Sequence, residues 1–376
     1  MCTLSRALAQ GVLLLGGLCW AQQPALKIDF EHDSPVTVVQ ADWGESRTEA
    51  RGGAMVLDLH TSLMLRNSGT RTIRGITLLV STQEFAPGGK GSVAVPSLDA
   101  KPGDTFPIRI DLRLLRPLLS GRAPLATVSV DGILFADLSF YGPNTLNSRR
   151  ALTAWELEAR RDRRYLREIL ETRGRDALRR EMVDTLARLS ASGTLDVQLV
   201  RGGRATAVAS AAEREVEFAF LRLPDAPVEP ISGVARVAGS EARAPKIRVL
   251  NRSKRPVRYF EIGWIIRDQS GHEYMAGSVP ASNAGLALAP GAQREVAQET
   301  AMRFSRDSRP IAIGAMTGFV SQVEFSDGSI WVPSRAAISS ANLGSVIAPS
   351  PEEQRLAGLY RRKGLEALIE ELKRLQ

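Results

Sequence analysis

Between residues 36 and 142 apolar and polar positions alternate in short runs: VTVVQADW (36–43), MVLDLHTSLMLRN (55–67), RGITLLVS (74–81), FPIRIDL (106–112), ATVSVDGILF (126–135) and LSFYG (138–142). A period of two, rich in Val, Ile and Thr and broken by Gly, Pro, Asn and Asp, marks strands with one face in a core. Six or seven such strands over about 110 residues predict an antiparallel β-sandwich.

The period then changes. In ALTAWELEARRDRRYLREILETRGRDALRREMVDTLARLS (151–190), Leu166, Ile169 and Leu170, then Leu178, Met182, Leu186 and Leu189, recur at helical spacing, with Gly174 placed to kink or divide the helix. A second helix is predicted over 350–375. Ser350 and Glu353 form a capping box, Pro351 takes the first helical position, and Leu365, Leu368, Ile369 and Leu372 make the apolar stripe. Each stripe needs a cover: a sandwich face, another helix or a partner. TLDVQLV (194–200) and REVEFAFLRL (214–223) look like an additional strand pair with no evident place.

The chain says much of this twice. ILFADLSFYGP (133–143) and VEFSDGSIWVP (323–333) lie 190 positions apart, and GRDALRRE (174–181) and GLEALIEE (364–371) share that offset. LMLRNSGTRTIRGITLLV (63–80) corresponds to IRVLNRSKRPVRYFEIGWII (247–266), with Asn251 standing where Asn67 does. Pro102-Gly103 corresponds to Pro290-Gly291. An internal duplication of a β-domain with a helical tail follows. The repeated phrase is the closing hairpin, with Phe135 and Phe325 facing the core and Tyr141 and Trp331 near the edge. Asp327-Gly328 supplies its turn.

The strand ending Leu-x-Leu-x-Asn-Ser-Gly, the strand after it and the Pro-Gly before the next resemble bacterial extracellular immunoglobulin-like modules of the CARDB type. The resemblance covers 55–143 and, with Arg252-Ser253 in place of Ser-Gly, 245–334. It implies an immunoglobulin-like fold, export and an adhesive or spacing role, with no catalytic residues to carry over. The expected fold class is therefore mainly β with α segments: two immunoglobulin-like antiparallel sandwiches, each followed by a helical segment. The expected divisions are a signal peptide (1–21), a first sandwich (28–144), a helical segment (149–192), a strand pair or linker (193–228), a second sandwich (229–335), a linker (336–349) and a C-terminal amphipathic helix (350–376).

Composition adds the compartment. Arg6, the apolar run GVLLLGGL (11–18) and the small residue Ala21 make a secretory leader cut near Ala21. Cys19 follows Leu18, where a lipidated cysteine takes a small residue, so a lipoprotein is not expected. Both cysteines, Cys2 and Cys19, fall in the leader, which leaves the mature chain with no disulfide, thiolate metal site or cysteine nucleophile. A periplasmic or secreted protein with no transmembrane segment is expected, and export argues against nucleic acid.

The formal net charge is +8, and Arg far outnumbers Lys. Eleven arginines fall between 149 and 180, with six acids among them. Glu156 with Arg160, Glu171 with Arg175 and Asp176 with Arg180 are placed for i,i+4 pairing on a solvated helix. The sharper reading is a polyanion site for anionic lipid or acidic polysaccharide, centred on Arg160, Arg161, Arg163, Arg164 and Arg167.

Chemistry is harder to find. Gly-x-Ser-x-Gly and His-Glu-x-x-His are both absent. APGGKGS (86–92) departs from a phosphate loop and reads as a hairpin loop. The cluster Asp29, Glu31, His32 and Asp33 reads as a solvated arm. No catalytic, cofactor or metal residues are assigned. The expectation is a non-enzymatic envelope protein that binds or scaffolds an envelope partner. A hydrolase whose carboxylates meet only in three dimensions is the alternative of a different class, and it would be marked by a deep pocket with two facing acids.

Overall fold

In a computed structural model the described residues are 26–82, 88–117, 125–191, 195–201, 213–281, 285–298, 300–341, 343–345, 347 and 349–375. The expected leader (1–21) and part of the 86–92 loop lie outside them. The chain is mainly β with helical segments. The first unit holds β1 (Leu26–Ile28), β2 (Val36–Asp42), β3 (Arg47–Arg51), β4 (Ala54–Asn67), β5 (Ile73–Ser81), β6 (Lys90–Val95), β7 (Thr105–Pro117), β8 (Ala126–Phe135) and β9 (Phe140–Tyr141). Helices α1 (Ser148–Arg173) and α2 (Arg175–Ala191) follow. The second unit holds β10 (Asp196–Arg201), β11 (Arg214–Phe220), β12 (Val228–Ala238), β13 (Glu241–Asn251), β14 (Val257–Asp268), β15 (Glu273–Pro280), β16 (Gln293–Ala297), β17 (Thr300–Arg306), β18 (Arg309–Pro310), β19 (Ile313–Phe325) and β20 (Ile330–Trp331), then α3 (Arg335–Ser340) and α4 (Pro351–Arg374).

In the first unit the sheet β1-β8-β5-β6, with β9 on β8, faces a second sheet. There β4 pairs with β7 on one side and with β2 and β3 on the other. Alternation along β4 sends Leu57, Leu59, Leu63 and Leu65 into the shared core against Ile76, Leu78, Val128 and Ile133. In the second unit the strands run β10-β17-β13-β12-β11-β19-β14-β15, one sheet folded over a core centred on Phe218, Phe260, Trp264, Phe304 and Val320.

The sandwiches are not purely antiparallel. β1 runs parallel to β8 with Leu26 opposite Ala126, and β11 runs parallel to β19 with Phe218 opposite Met316. Ala126 and Met316 are themselves 190 residues apart. This equivalence corrects the reading of 193–228. The two strands there do not pair with each other: β10 adds to β17, and Leu195 N–H donates to the Met275 carbonyl at the far edge. β11 pairs with β12 through Arg214–Glu217 and then with β19 through Phe218–Phe220, which makes it the second unit's counterpart of β1.

Duplicated residues explain why both units fold alike. Asn67 and Asn251 are fully buried. Asn67 Nδ2 donates to the carbonyls of Arg71 (2.9 Å) and Ala100 (2.8 Å), and Asn251 Nδ2 donates to those of Arg255 (2.9 Å) and Leu288 (3.0 Å). Gly103 and Gly291, each at positive φ after its proline, donate their N–H groups to the Asn67 and Asn251 carbonyls. Each asparagine thus ties a strand end to the Pro-Gly turn, satisfying backbone groups that burial would otherwise strand. The closing hairpins are receivers for an arginine. Arg71 stacks on Phe135 at 3.8 Å and donates to Ser139 Oγ at 2.5 Å, with Asp137 at 3.9 Å. Arg255 repeats this on Phe325 (3.6 Å), Ser329 (2.6 Å) and Asp327 (3.5 Å).

The helical stripes cover one another. Gly174 separates α1 from α2 and Gly364 breaks α4, so each unit ends in a bent helical pair. Leu166, Leu178 and Met182 meet Leu356, Leu368 and Leu372 in one apolar cluster with Ile169 and Ile369. No helix among the described residues is long and apolar enough to cross a membrane.

Candidate functional site

The longest helix begins where the first sandwich ends. Buried Asp131 on β8 accepts hydrogen bonds from the Thr145 and Leu146 N–H groups and from the Thr145 and Ser148 hydroxyls, which fixes the entry into α1. Leu152 then packs over Gly75 on β5, where a Cβ would come within 2.8 Å of it. The opposite face of α1 turns toward the outer face of β14 and β19. Arg150 stacks on Tyr259 at 3.5 Å and reaches Glu324 at 3.4 Å, so α1 spans the two sandwiches.

Buried charges continue this attachment along α1. Asp162, fully buried, accepts from Arg161 (2.8 and 3.2 Å) and from the Ser350 hydroxyl (2.6 Å), and pairs with Arg335 (3.1 Å). Ser350 is also the N-cap of α4, accepting from Glu353 N–H at 3.1 Å. Arg163 bridges Glu156 (3.0 Å) and Glu352 (3.2 Å).

These contacts divide the arginine group foreseen as one polyanion surface. Arg161 and Arg163 are turned inward, because their guanidinium groups are the counter-charges of buried Asp162, Glu156 and Glu352. Arg160 pairs with Glu156 at 2.8 Å and donates to the Ala136 carbonyl. Arg164 is exposed and Arg167 half-buried. Of the three expected i,i+4 pairs, Glu156–Arg160 forms; Arg175 instead pairs with Glu366 across the helical cluster, and Asp176 with Arg179 at 3.6 Å. Glu31 and Asp33 of the acidic arm accept from the Tyr141 hydroxyl at 3.2 and 2.9 Å.

Between α1, the outer face of β14, β15 and β19, and the segment leading into α4 lies a cleft of about 460 Å³. Trp155, Met275, Phe319 and Ile338 give it apolar walls, and Glu158, Glu261, Ser321 and Gln322 give it polar ones. Burial pushes the Glu158 carboxyl up to about 7, with Asp162, Glu261 and Glu353 adding to the shift against Arg161. Burial also raises Glu261, although the Tyr259 hydroxyl donates to it at 2.6 Å. The same surroundings raise the Tyr259 phenol. Gln322 lies opposite Glu261 in register, is 7% exposed, and its Nε2 has no hydrogen-bond partner. Ser321 Oγ is likewise buried and unpartnered.

Sequence reasoning assigned none of these residues. Glu261 interrupts the apolar run RYFEIGWII and Gln322 the run VSQVEF, which was the available signal. Alternation alone does not say that both polar positions face the same helix.

No family model matches the chain, and no curated protein does. Among solved structures it is similar to pT26-6p, at 8% identity over 90% of this chain and 72% of that one, with a TM-score of 0.12. A likeness that slight carries no argument about fold or function.

Proposed function

We propose that the chain is an exported, non-enzymatic binding or scaffolding protein of the bacterial cell envelope. The observation that carries this reading is the fastening of two equivalent sandwiches by their own helices. Buried α1 charges and the shared helical cluster hold the two units at a fixed spacing, and the equivalent edges of the two units recur at that spacing. Val39 on β2 and Ile231 on β12 are each exposed at a bulge in their strand, at matching places in the two units. Among the described residues β2 pairs only with β4, and the first half of β12 (228–233) pairs only with β13, so each bulged stretch leaves one side of its backbone open beside an exposed apolar residue, a surface to which a partner's strand can add. The resemblance to extracellular spacing modules supports the same role.

The test is a cross-linked pull-down of the tagged mature chain (22–376) from its native envelope, read by mass spectrometry. One or two stoichiometric protein partners, lost on Val39→Lys and Ile231→Lys, are expected. Retention on envelope lipid or polysaccharide with no protein partner would overturn it.

A hydrolase with a carboxylate pair has one observation in its favour, namely that Glu158 and Glu261 line the same cleft. Turnover in a screen of ester, peptide and glycoside substrates, lost in both Glu158→Gln and Glu261→Gln, would replace the binding reading.

A further inference from the structure

The cleft over β14 and β19 contains four arginines, and each is already occupied. Arg150 pairs with Glu324, Arg161 with Asp162, Arg188 with Glu353 (3.2 Å) and the Gly344 carbonyl (2.8 Å), and Arg335 with Asp162 and Glu353. An anion entering the cleft has to displace Asp162, Glu353 or Glu324, all of them buried and each shared by two arginines. Arg188 Nε is buried without an acceptor, but its guanidinium is already held by Glu353 and the Gly344 carbonyl; the side chains left without an ion pair are of the other kind. Glu158 has neither a hydrogen bond nor an ion pair among the described residues, and Glu261 has Tyr259 alone. Beside Glu261, across the β14–β19 ladder, Gln322 Nε2 is a buried donor with no acceptor.

We propose that this cleft binds a small organic amine with a hydroxyl or carbonyl group close to its ammonium. The ammonium meets the carboxylates of Glu158 and Glu261, the neighbouring oxygen accepts from Gln322 Nε2, and the carbon skeleton lies against Trp155, Phe319, Met275 and Ile338. An unpartnered buried donor costs free energy until a ligand satisfies it, so the amide selects for an acceptor and does not merely tolerate one. The volume lies within the range of small-ligand sites.

The charges facing Glu158 set the pH response. They are Arg161 and Asp162 from α1, Glu261 from β14 and Glu353 from α4, with Arg150, Arg188 and Arg335 lining the same cleft and Tyr259 of β14 and Glu324 of β19 in contact with Arg150. Every arginine among them is paired with another acid, so ionising Glu158 adds a negative charge that Arg161 offsets only in part. Amine binding therefore strengthens as pH rises through about 7, where that carboxyl ionises. The site does not depend on what the sheet edges bind, and its failure leaves that reading standing.

The experiment is calorimetric titration of the full mature chain at pH 6 and pH 8 with phenylalaninol and leucinol as probes. Their N-acetyl derivatives, which lack the cation, and phenethylamine, which lacks the acceptor, are the comparisons. Both amino alcohols are expected to bind, more tightly at pH 8, and the N-acetyl compounds about tenfold or more weaker, as loss of one charge-assisted contact implies. Glu158→Gln is expected to weaken binding and to reduce both the pH dependence and the preference for the cation, because Glu261 remains to meet the ammonium. Gln322→Met, similar in shape, is expected to erase the preference for phenylalaninol over phenethylamine, with circular dichroism establishing that each variant is folded. No binding of either amino alcohol at pH 8, equal binding of the N-acetyl compounds, or unaltered affinity in folded Glu158→Gln would overturn the proposal.

Discussion

Gly174 and Gly364, 190 residues apart, hold the same backbone conformation, with φ 80° and ψ −176° at the first and φ 81° and ψ −176° at the second. That region of backbone space is essentially closed to residues with a Cβ. Each glycine bends its helical segment so that the halves on either side present Leu166 and Leu178, or Leu356 and Leu368, to one cluster. The duplicated tails therefore pack on each other much as two chains of a dimer would, within one polypeptide.

Replacing either glycine by alanine tests this equivalence. An added Cβ meets nothing within 4 Å at either position, so the cost is backbone strain alone. Gly174→Ala and Gly364→Ala are each expected to destabilise by about 1–3 kcal/mol, and by similar amounts. Urea unfolding followed by far-UV circular dichroism measures both. A loss at one position with none at the other would mean that the two bends do different jobs.

Asn67 and Asn251 give a second matched pair. Each buried Nδ2 satisfies two carbonyls, so Asn→Ala leaves buried acceptors without donors and removes the tie to the Pro-Gly turn. A loss of about 1–3 kcal/mol is expected at each site. Asn→Asp is no remedy, because a carboxylate offers no donor to those carbonyls. Thermal melts of Asn67→Ala, Asn67→Asp, Asn251→Ala and Asn251→Asp check this, and an Asp variant as stable as the parent would contradict the donor role.

How much of this was legible in the sequence follows from the range of each interaction. The β4 alternation, the Ser350 capping box and the leucine spacing of α4 are set within a few residues, and each appears in the structure where the pattern put it. The 190-residue offset made the duplication visible and relates β8 to β19, while β11 takes the place of β1 with a shift of two residues from that offset. What pattern could not give was which of two chemically similar neighbours faces inward. Arg163 and Arg164 are adjacent and both basic, yet helical geometry buries the first against Glu352 and exposes the second. The cleft was hidden for the same reason: Glu158, Glu261 and Gln322 come from two units and converge only once α1 lies across both.

That adjacent pair yields a contrast in stability. Arg163 is buried between Glu156 and Glu352, so Arg163→Met leaves buried carboxylates short of a counter-charge. A loss of roughly 3 kcal/mol is expected, near the lower end for a broken buried pair, because Arg160 and Arg355 still serve those acids. Arg164→Gln changes an exposed side chain and is expected to stay within about 0.5 kcal/mol. Paired denaturation curves distinguish the two, and equal effects would contradict the buried network.

Glu158 gives the pH prediction. Its carboxyl titrates near 4.5 in the unfolded chain and at about 7 in the folded one, so between those values the native state holds more protons. Stability from this group is fully present below pH 4.5, falls as pH rises, and is gone above 7. The shift corresponds to on the order of 3 kcal/mol, less whatever solvent in the cleft screens. Glu158→Gln carries no titrating group there and should flatten this part of the profile. Urea unfolding from pH 4.5 to pH 8 is therefore expected to show the parent losing stability relative to the variant, with most of the difference developing below pH 7. Parallel profiles for the two proteins would mean that the Glu158 carboxyl stays ionised in the folded state, held by Arg161 more strongly than burial opposes it.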